Sequence, residues 1–342
     1  MPDRHAETKL YLLKDTIMVQ IYGTIGPACS SCEIMQAMFR EGMTGMRLNL
    51  SHTSLLESRE TIQAFQKSAD SCQVKPQLLI DMQGPELRIG RLTSKLEIHK
   101  GDTVEVPMQE AVMTFLKEGD HVLIDDGKFR AEVMEMHDDN ASLLFHNDGI
   151  LESRKSIKIE GREVQGPALT LHDRENIDLA REYGVTAIME PFVNNAETLK
   201  EIRHVLHEKQ LDQIQIYAKI ENREGVKKLS EIIPQADMIV IARGDLGNDI
   251  PLWKLPAVQK DIEQTCLSAH KPFMVVTQML TSMIHNPFPT RAEVSDIFNA
   301  VNDGADAVMV TNETAVGKYP VETIRYLSLT AAEAKQYRNR RG

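Results

Sequence analysis

A chain of 342 residues with 42% hydrophobic and 26% charged content can bury a large core and exceeds the usual size of one compact domain. Its formal net charge of −11 excludes a nucleic-acid binder that relies on overall attraction to phosphates, so an anionic ligand would need local cations or recruited metal ions. The charged start "MPDRHAETK" does not read as a secretory signal, and no apolar run approaches the roughly 18–20 residues that span a bilayer, so the expected setting is cytoplasmic, without membrane or nucleic-acid partners.

The chain opens with a strand, "IMVQIYG" (17–23), and an amphipathic helix over 30–41. "CSSC" at 29–32 has redox or half-zinc spacing, but no second Cys or His pair follows at ligand spacing. Cys29, Cys32, Cys72 and Cys266 are therefore expected as reduced thiols. Next comes "REGMTGMRLNLSHT", in which a glycine ends a helix, an apolar run forms a strand buried on both faces, and polar residues begin a loop. The same pattern returns in "EYGVTAIMEPFVNN", "PQADMIVIARGDLG" and "NDGADAVMVTNETA". Strands at 77–81 ("QLLID"), 213–220 ("QIQIYAKI") and 271–276 ("KPFMVV") bring the count to eight. Further helices are expected over 55–69, 172–183, 195–208, 222–233, 256–269 and 320–337. Alternating strand and helix implies a parallel sheet, and eight units close a barrel. An open doubly wound sheet is the alternative, but no Gly-rich dinucleotide loop follows the first strand. The expected fold is α/β, a (β/α)8 TIM barrel.

From 88 to 165 the helical period disappears. Short alternating runs such as "KLEIHKGDTVEV" and "DHVLIDDGKFRAEVMEM", broken by Asp-Gly turns, predict a small antiparallel β-barrel domain inserted after the third strand. The domains are thus 1–87 with 166–342, and 88–165. The insertion leaves from the barrel end where active sites form, which suggests a lid.

At that end the polar residues collect. Arg47, Asn49 and Ser51 alternate at the end of the second strand, and Asp81 ends the third. Lys219 and Glu221 stand two apart on the fifth, hence on one face. Asp245 lies in "ARGDLG" after the sixth strand, Thr277 and Gln278 follow the seventh, and Asn312 and Glu313 the eighth. Glu221 and Asp245 are hard oxygen ligands suited to Mg2+ or Mn2+, while Arg47 and Lys219 would face a phosphoryl or carboxylate group. "RGDLG" adds backbone N–H groups at an expected helix start. Oxyanion, divalent metal and lysine together suit phosphoryl transfer or enolate stabilisation.

At these residues the sequence resembles the pyruvate kinase family. The matching segments are "TIGPA" (24–28), "MRLNLSH" (46–52), "GPELR" (84–88), "IDDG" (124–127), "KIENREG" (219–225), "ARGDLG" (242–247), "TQML-SM" (277–283), "PTRAE-SD" (289–296) and "NETAVGKYP" (312–320). The resemblance implies a barrel with a mobile inserted domain, and transfer of the phosphoryl group of phosphoenolpyruvate to ADP. Glu221 and Asp245 would hold Mg2+, Lys219 would neutralise the phosphoryl group in flight, and Arg47 would hold it from the other side. Thr277 and the Gly244 and Asp245 amides would position the substrate carboxylate, with Thr277 near the route that protonates the enolate. Asn49, Ser51, Asp81 and the Met82 carbonyl would cup K+, and Glu86 matches the K+-requiring form. Pro27, His52, Arg88 and Lys155 would contact the nucleotide. "PTRAE" implies a homodimer through the barrel.

Some positions depart from the family's pattern. The chain ends at "AKQYRNRRG", where relatives carry a C-terminal effector domain, so regulation by sugar phosphates through that domain is not expected. Met82 and Gln83 stand where Thr-Lys is usual, Thr53 and Asn312 replace glycines, and Glu190-Pro191 replaces Ala-Ser at the end of the fourth strand, where the carboxylate is expected to face the site. Two other readings stay open: a metal-dependent lyase acting on an enolpyruvate-type substrate, and a diverged regulatory homologue that binds phosphoenolpyruvate.

Overall fold

The structure, a computed structural model, describes residues 19–84, 87–125, 127–161 and 168–341. The described residues fall into two compact units, one within Met1–Gln83 and Leu171–Gly342, the other within Gly84–Thr170.

In the first unit eight parallel strands close a barrel: β1 (Gln20–Thr24), β2 (Gly45–Asn49), β3 (Gln77–Asp81), β4 (Ala187–Glu190), β5 (Gln215–Ile220), β6 (Met238–Ala242), β7 (Phe273–Val276) and β8 (Ala307–Met309). Each strand pairs with its neighbours in sequence, and β8 returns to β1. Residues in register share a face, so the ladder Asn49–Asp81–Met189–Tyr217 sets one interior level around the ring. Tyr22, Leu79, Met189, Tyr217, Val240 and Met274 belong to one buried cluster drawn from these strands, which fills the barrel. Gly45 is required by this closure: a Cβ there would lie 2.3 Å from the Gln77 carbonyl oxygen.

The helices follow the strands. Cys32–Arg40 is capped by the Ser31 side chain, which accepts from the Ile34 N–H at 3.3 Å, and Ala196–Glu208 by Asn195, which accepts from Thr198 at 2.9 Å. The expected helix over 222–233 divides into Arg223–Lys227 and Leu229–Ile232, then a 3-10 turn at Ile233–Gln235. Lys228 leaves helical geometry (φ −95°, ψ 12°), and Pro234 has no N–H with which to continue. A helix at Arg291–Asn302 was not among those expected. Its signal was present in Thr290 and Glu293, which form a reciprocal capping box. Among the described residues no helix is long and apolar enough to cross a membrane.

The second unit is antiparallel. Its described strands form a five-stranded sheet, in the order Ile157–Ile159, His121–Ile124, Phe129–Met136, Asn140–Phe145 and Thr103–Pro107, beside a separate pair, Leu96–Ile98 with Gly149–Leu151. The small barrel expected from the sequence is drawn together by the segment 87–90, which bridges both outer strands: Arg88 pairs antiparallel with Ser156 beside Ile157–Ile159, and Ile89 with Met108 beside Thr103–Pro107. Alternation along the strands sends Val122, Ile124, Phe129, Val133, Leu143 and Phe145 into one core, with Phe129 and Phe145 edge to face at 5.7 Å.

Candidate active site

The ends of β2, β3 and β5 bring two cations onto one carboxylate. Asp81, 2% exposed, accepts from Arg47 Nε at 2.7 Å and lies 2.6 Å from Arg47 Nη2. Lys219 Nζ donates to both Asp81 oxygens at 3.1 and 3.2 Å, and stands 3.1 Å from Glu221 Oε1. The remaining Glu221 oxygen accepts the Phe192 N–H at 2.8 Å, which fixes the carboxylate from the β4 side. Spacing by two does put Lys219 and Glu221 on one face, and Asp81 on a neighbouring strand completes the arrangement.

Burial and charge then set the protonation states. Burial would lift the Asp81 carboxyl, but Lys219 and Arg47 outweigh it and hold it below the usual range. Burial would likewise weaken the Lys219 ammonium, yet Asp81 and Glu221 keep it firmly protonated. Glu221 is pushed up to about 7 by burial, with Lys219 opposing and Asp245 and Asp81 adding to the rise. A buried carboxylate already short of compensating positive charge, beside a second acid, is a donor set that fits Mg2+ or Mn2+.

Asp245 lies in the first turn of the helix Arg243–Asp249, directly after β6. Gly244 allows close approach there, since a Cβ would meet Thr277 Cγ2 at 2.9 Å. Thr277 and Gln278 both take left-handed backbone (φ 75° and 57°), an unfavourable geometry for a threonine. Sequence reasoning missed what holds that bend. Arg243 donates to the Thr277 carbonyl at 2.7 and 3.2 Å and contacts both Asp296 oxygens at 2.7 and 2.8 Å, tying the end of β7 to the helix Arg291–Asn302. Glu313, read among the strand-end acids, is spent on structure: it accepts the Thr311 N–H at 2.7 Å and the Leu280 N–H at 3.3 Å.

Asn49 and Asp81 share one register level, and Asn49 Oδ1 accepts the Ser51 N–H at 3.1 Å. Met82 is buried, and its N–H donates to the Met189 carbonyl at 3.0 Å. Side-chain and carbonyl oxygens of these residues are the hard donors that a monovalent cation takes, although both Asp81 oxygens already receive N–H donors. Glu86 lies outside the described residues, as do Pro85 and Asp126 of the matching motifs.

Glu190 corrects an expectation. Met189 belongs to the barrel interior, so alternation turns Glu190 to the opposite face, in register with Ala218 rather than toward Lys219. It is 0% exposed, and neither carboxyl oxygen has a hydrogen-bond partner among the described residues. Burial, then the charges of Asp173 and Asp81, raise its pKa well above the ordinary 4.5, so it is held neutral. For an acid raised in the folded state, the associated stability is complete below the unfolded value and is lost as pH rises toward the folded one. Glu190→Gln, which needs no proton, is expected to raise the unfolding midpoint at pH 8 and leave it nearly unchanged near pH 4. Melting curves at both values check this.

Of the four expected nucleotide contacts, two lie in each unit. Pro27, exposed, begins the turn Pro27–Cys29, and His52, also exposed, donates its N–H to the Asn49 carbonyl at 3.3 Å. In the insertion, Arg88 and Lys155 are brought together on adjacent segments, where the Ile89 N–H donates to the Lys155 carbonyl at 2.9 Å. Arg88 donates to the Arg154 carbonyl at 2.9 Å, and Lys155 lies 3.1 Å from Asp125 and 3.4 Å from Glu152.

A closed parallel barrel that gathers a lysine, an arginine and three acids near the ends of its strands, with an antiparallel unit inserted after β3, belongs to the (β/α)8 class, whose active sites form at that end. The family profile described as "Pyruvate kinase, barrel domain" matches residues 16–324. The chain belongs to the pyruvate kinase family. It is 38% identical to a pyruvate kinase of Sporosarcina psychrophila over 94% of its own length, and 35% identical to pyruvate kinases of Clostridium acetobutylicum and Thermococcus litoralis over 91% and 94%. It spans 58% of the length of the Sporosarcina protein, 69% of the Clostridium protein and 71% of the Thermococcus protein.

Proposed function

We propose that this chain transfers the phosphoryl group of phosphoenolpyruvate to ADP, giving pyruvate and ATP, in the cytoplasm. The observation that carries this reading is the Lys219 ammonium, held 3.1 Å from both Asp81 and Glu221 at the strand ends. Phosphoryl transfer leaves the protein little covalent work, so catalysis is positioning and charge neutralisation. In the proposed step the bond from the enol oxygen to phosphorus breaks, a β-phosphate oxygen of ADP takes the phosphoryl group, and the enolate accepts a proton at its methylene carbon.

Lys219 and Arg47 meet the phosphoryl oxygens, with Asp81 fixing both cations in place. Thr277 and the Gly244 and Asp245 amides hold the substrate carboxylate, and the Arg243 clamp sets the Thr277 backbone. Glu221 and Asp245 would hold Mg2+ or Mn2+, which when bound adds positive charge against the phosphoryl and enolate oxygens. Asn49, Ser51, Asp81 and the Met82 carbonyl would hold K+. ADP as acceptor rests on the resemblance at Pro27, His52, Arg88 and Lys155, and the pyruvate kinase names of the relatives favour this reading over the lyase and the regulatory homologue.

A coupled assay for pyruvate tests the proposal. Turnover is expected with phosphoenolpyruvate, ADP and Mg2+ together, and is expected to rise with K+. Binding of phosphoenolpyruvate without pyruvate formation would overturn the kinase reading, and pyruvate release without ADP would point to the lyase.

The raised pKa of Glu221 gives a second expected result. A metal must displace its proton, so Mn2+ affinity, read by electron paramagnetic resonance, falls about tenfold per pH unit below pH ~7 and levels off above it. Glu221→Gln removes this pH dependence and lowers affinity by more than the roughly 10–100-fold typical of losing an outer partner. A flat profile in the unaltered chain would remove Glu221 from the metal site.

A further inference from the structure

The outer face of the insertion's sheet carries a cluster that the phosphoryl-transfer reading leaves unused. His121 and Glu132 are direct cross-strand partners on the strands His121–Ile124 and Phe129–Met136. Glu132 is also in register with Leu144 of the third strand, and His146 stands two residues beyond Leu144, hence on the same face. The intervening residues Val122, Ala131, Val133 and Phe145 point the other way into the core, which fixes the three backbones beneath the cluster. The His146 N–H is itself bound to the Arg130 carbonyl at 2.8 Å.

One imidazole nitrogen from each histidine and a Glu132 oxygen lie within 4.8 Å of one another. This is the one group of three or more such side chains found among the described residues that could hold a metal ion. The rings lie 6.4 Å apart and tilted by 40°. Tetrahedral ligands at about 2.0–2.1 Å from a zinc ion stand ~3.3 Å from one another, so small rotations of exposed side chains close the set.

We infer that His121, Glu132 and His146 form a surface site for a divalent transition-metal ion, with zinc the physiological candidate. Two imidazoles and one carboxylate suit zinc and disfavour magnesium, and three protein ligands leave a fourth position to water. The ion would clasp three adjacent strands and so stabilise the insertion by mass action. The site is separate in residues and in chemistry from the Glu221–Asp245 pair, and does not depend on the activity proposed above.

Isothermal titration of Zn2+ into the full chain, prepared without a histidine tag and in excess Mg2+ to occupy the barrel carboxylates, tests the inference. One Zn2+ per chain is expected, weakened at least about tenfold by His121→Ala and by His146→Ala, and retained in Glu221→Gln. Zn2+ should also raise the thermal midpoint of the unaltered chain more than that of His121→Ala. Both histidines lie on the exposed face, so these variants are expected to fold, and circular dichroism verifies that they do. Absence of saturable Zn2+ binding, or equal binding by the unaltered chain and both histidine variants, would overturn the assignment.

Discussion

Lys219→Met is expected to lower the rate of pyruvate formation by at least about 10³-fold, mostly in kcat. Removing one preorganised donor from a developing oxyanion costs about 10²–10³, and removing a cation that meets the transferring phosphoryl group costs about 10³–10⁵. The ammonium is largely shielded, its side chain 12% exposed, and fixed by two carboxylates, so its charge matters most where charge is redistributed. Lys219→Arg should not restore the rate, because a planar, bulkier guanidinium cannot reproduce a point charge set between Asp81 and Glu221. Single-turnover measurement of both variants, with a melting curve to confirm folding, checks this. Turnover that persists in Lys219→Met would remove the lysine from its assigned role.

The largest effect on stability is expected from Asp81→Asn, at about 3–5 kcal/mol. The change leaves Arg47 without its carboxylate and Lys219 with Glu221 alone, and loss of one partner strands buried charge. Because the Asp81 carboxyl is held low in the folded state, its contribution is present above the unfolded value of about 3.8 and is lost as pH falls through the folded one. The exposed pair Arg59–Glu182, at 2.9 Å with both side chains more than half exposed, is the control. Its removal should cost at most ~1 kcal/mol. Chemical denaturation of both variants at pH 7 compares them directly, and equal costs would show that the Asp81 cluster is far better solvated than its geometry indicates.

Much of this arrangement is legible in the sequence because it follows from short-range spacing. The repeated helix–glycine–apolar run locates strands, and Lys219 with Glu221 needs only the two-residue period of a strand. Glu190 was misread for a related reason. The strand Ala187–Glu190 is buried at every position, so its polarity pattern does not reveal which face is interior. That face is set by the register of Met189 with Asp81 on one side and Tyr217 on the other, which only the closed barrel provides. Arg243 was missed because its partners Thr277 and Asp296 are distant in the chain, and Glu313 because a carboxylate that binds backbone amides looks, in sequence, like one that faces a ligand. The Thr290–Glu293 box, by contrast, was a local signal that went unread.

The left-handed bend at Thr277 and Gln278 sets a conflict for anyone adapting this scaffold to heat. Each such residue carries about 1–3 kcal/mol of unfavourable backbone energy, which glycine would relieve. Selection for thermal endurance alone would therefore favour glycine at 278, and the same freedom would let the neighbouring hydroxyl wander. A directed-evolution campaign that scores melting temperature without turnover is steered away from the very posture that Arg243 maintains.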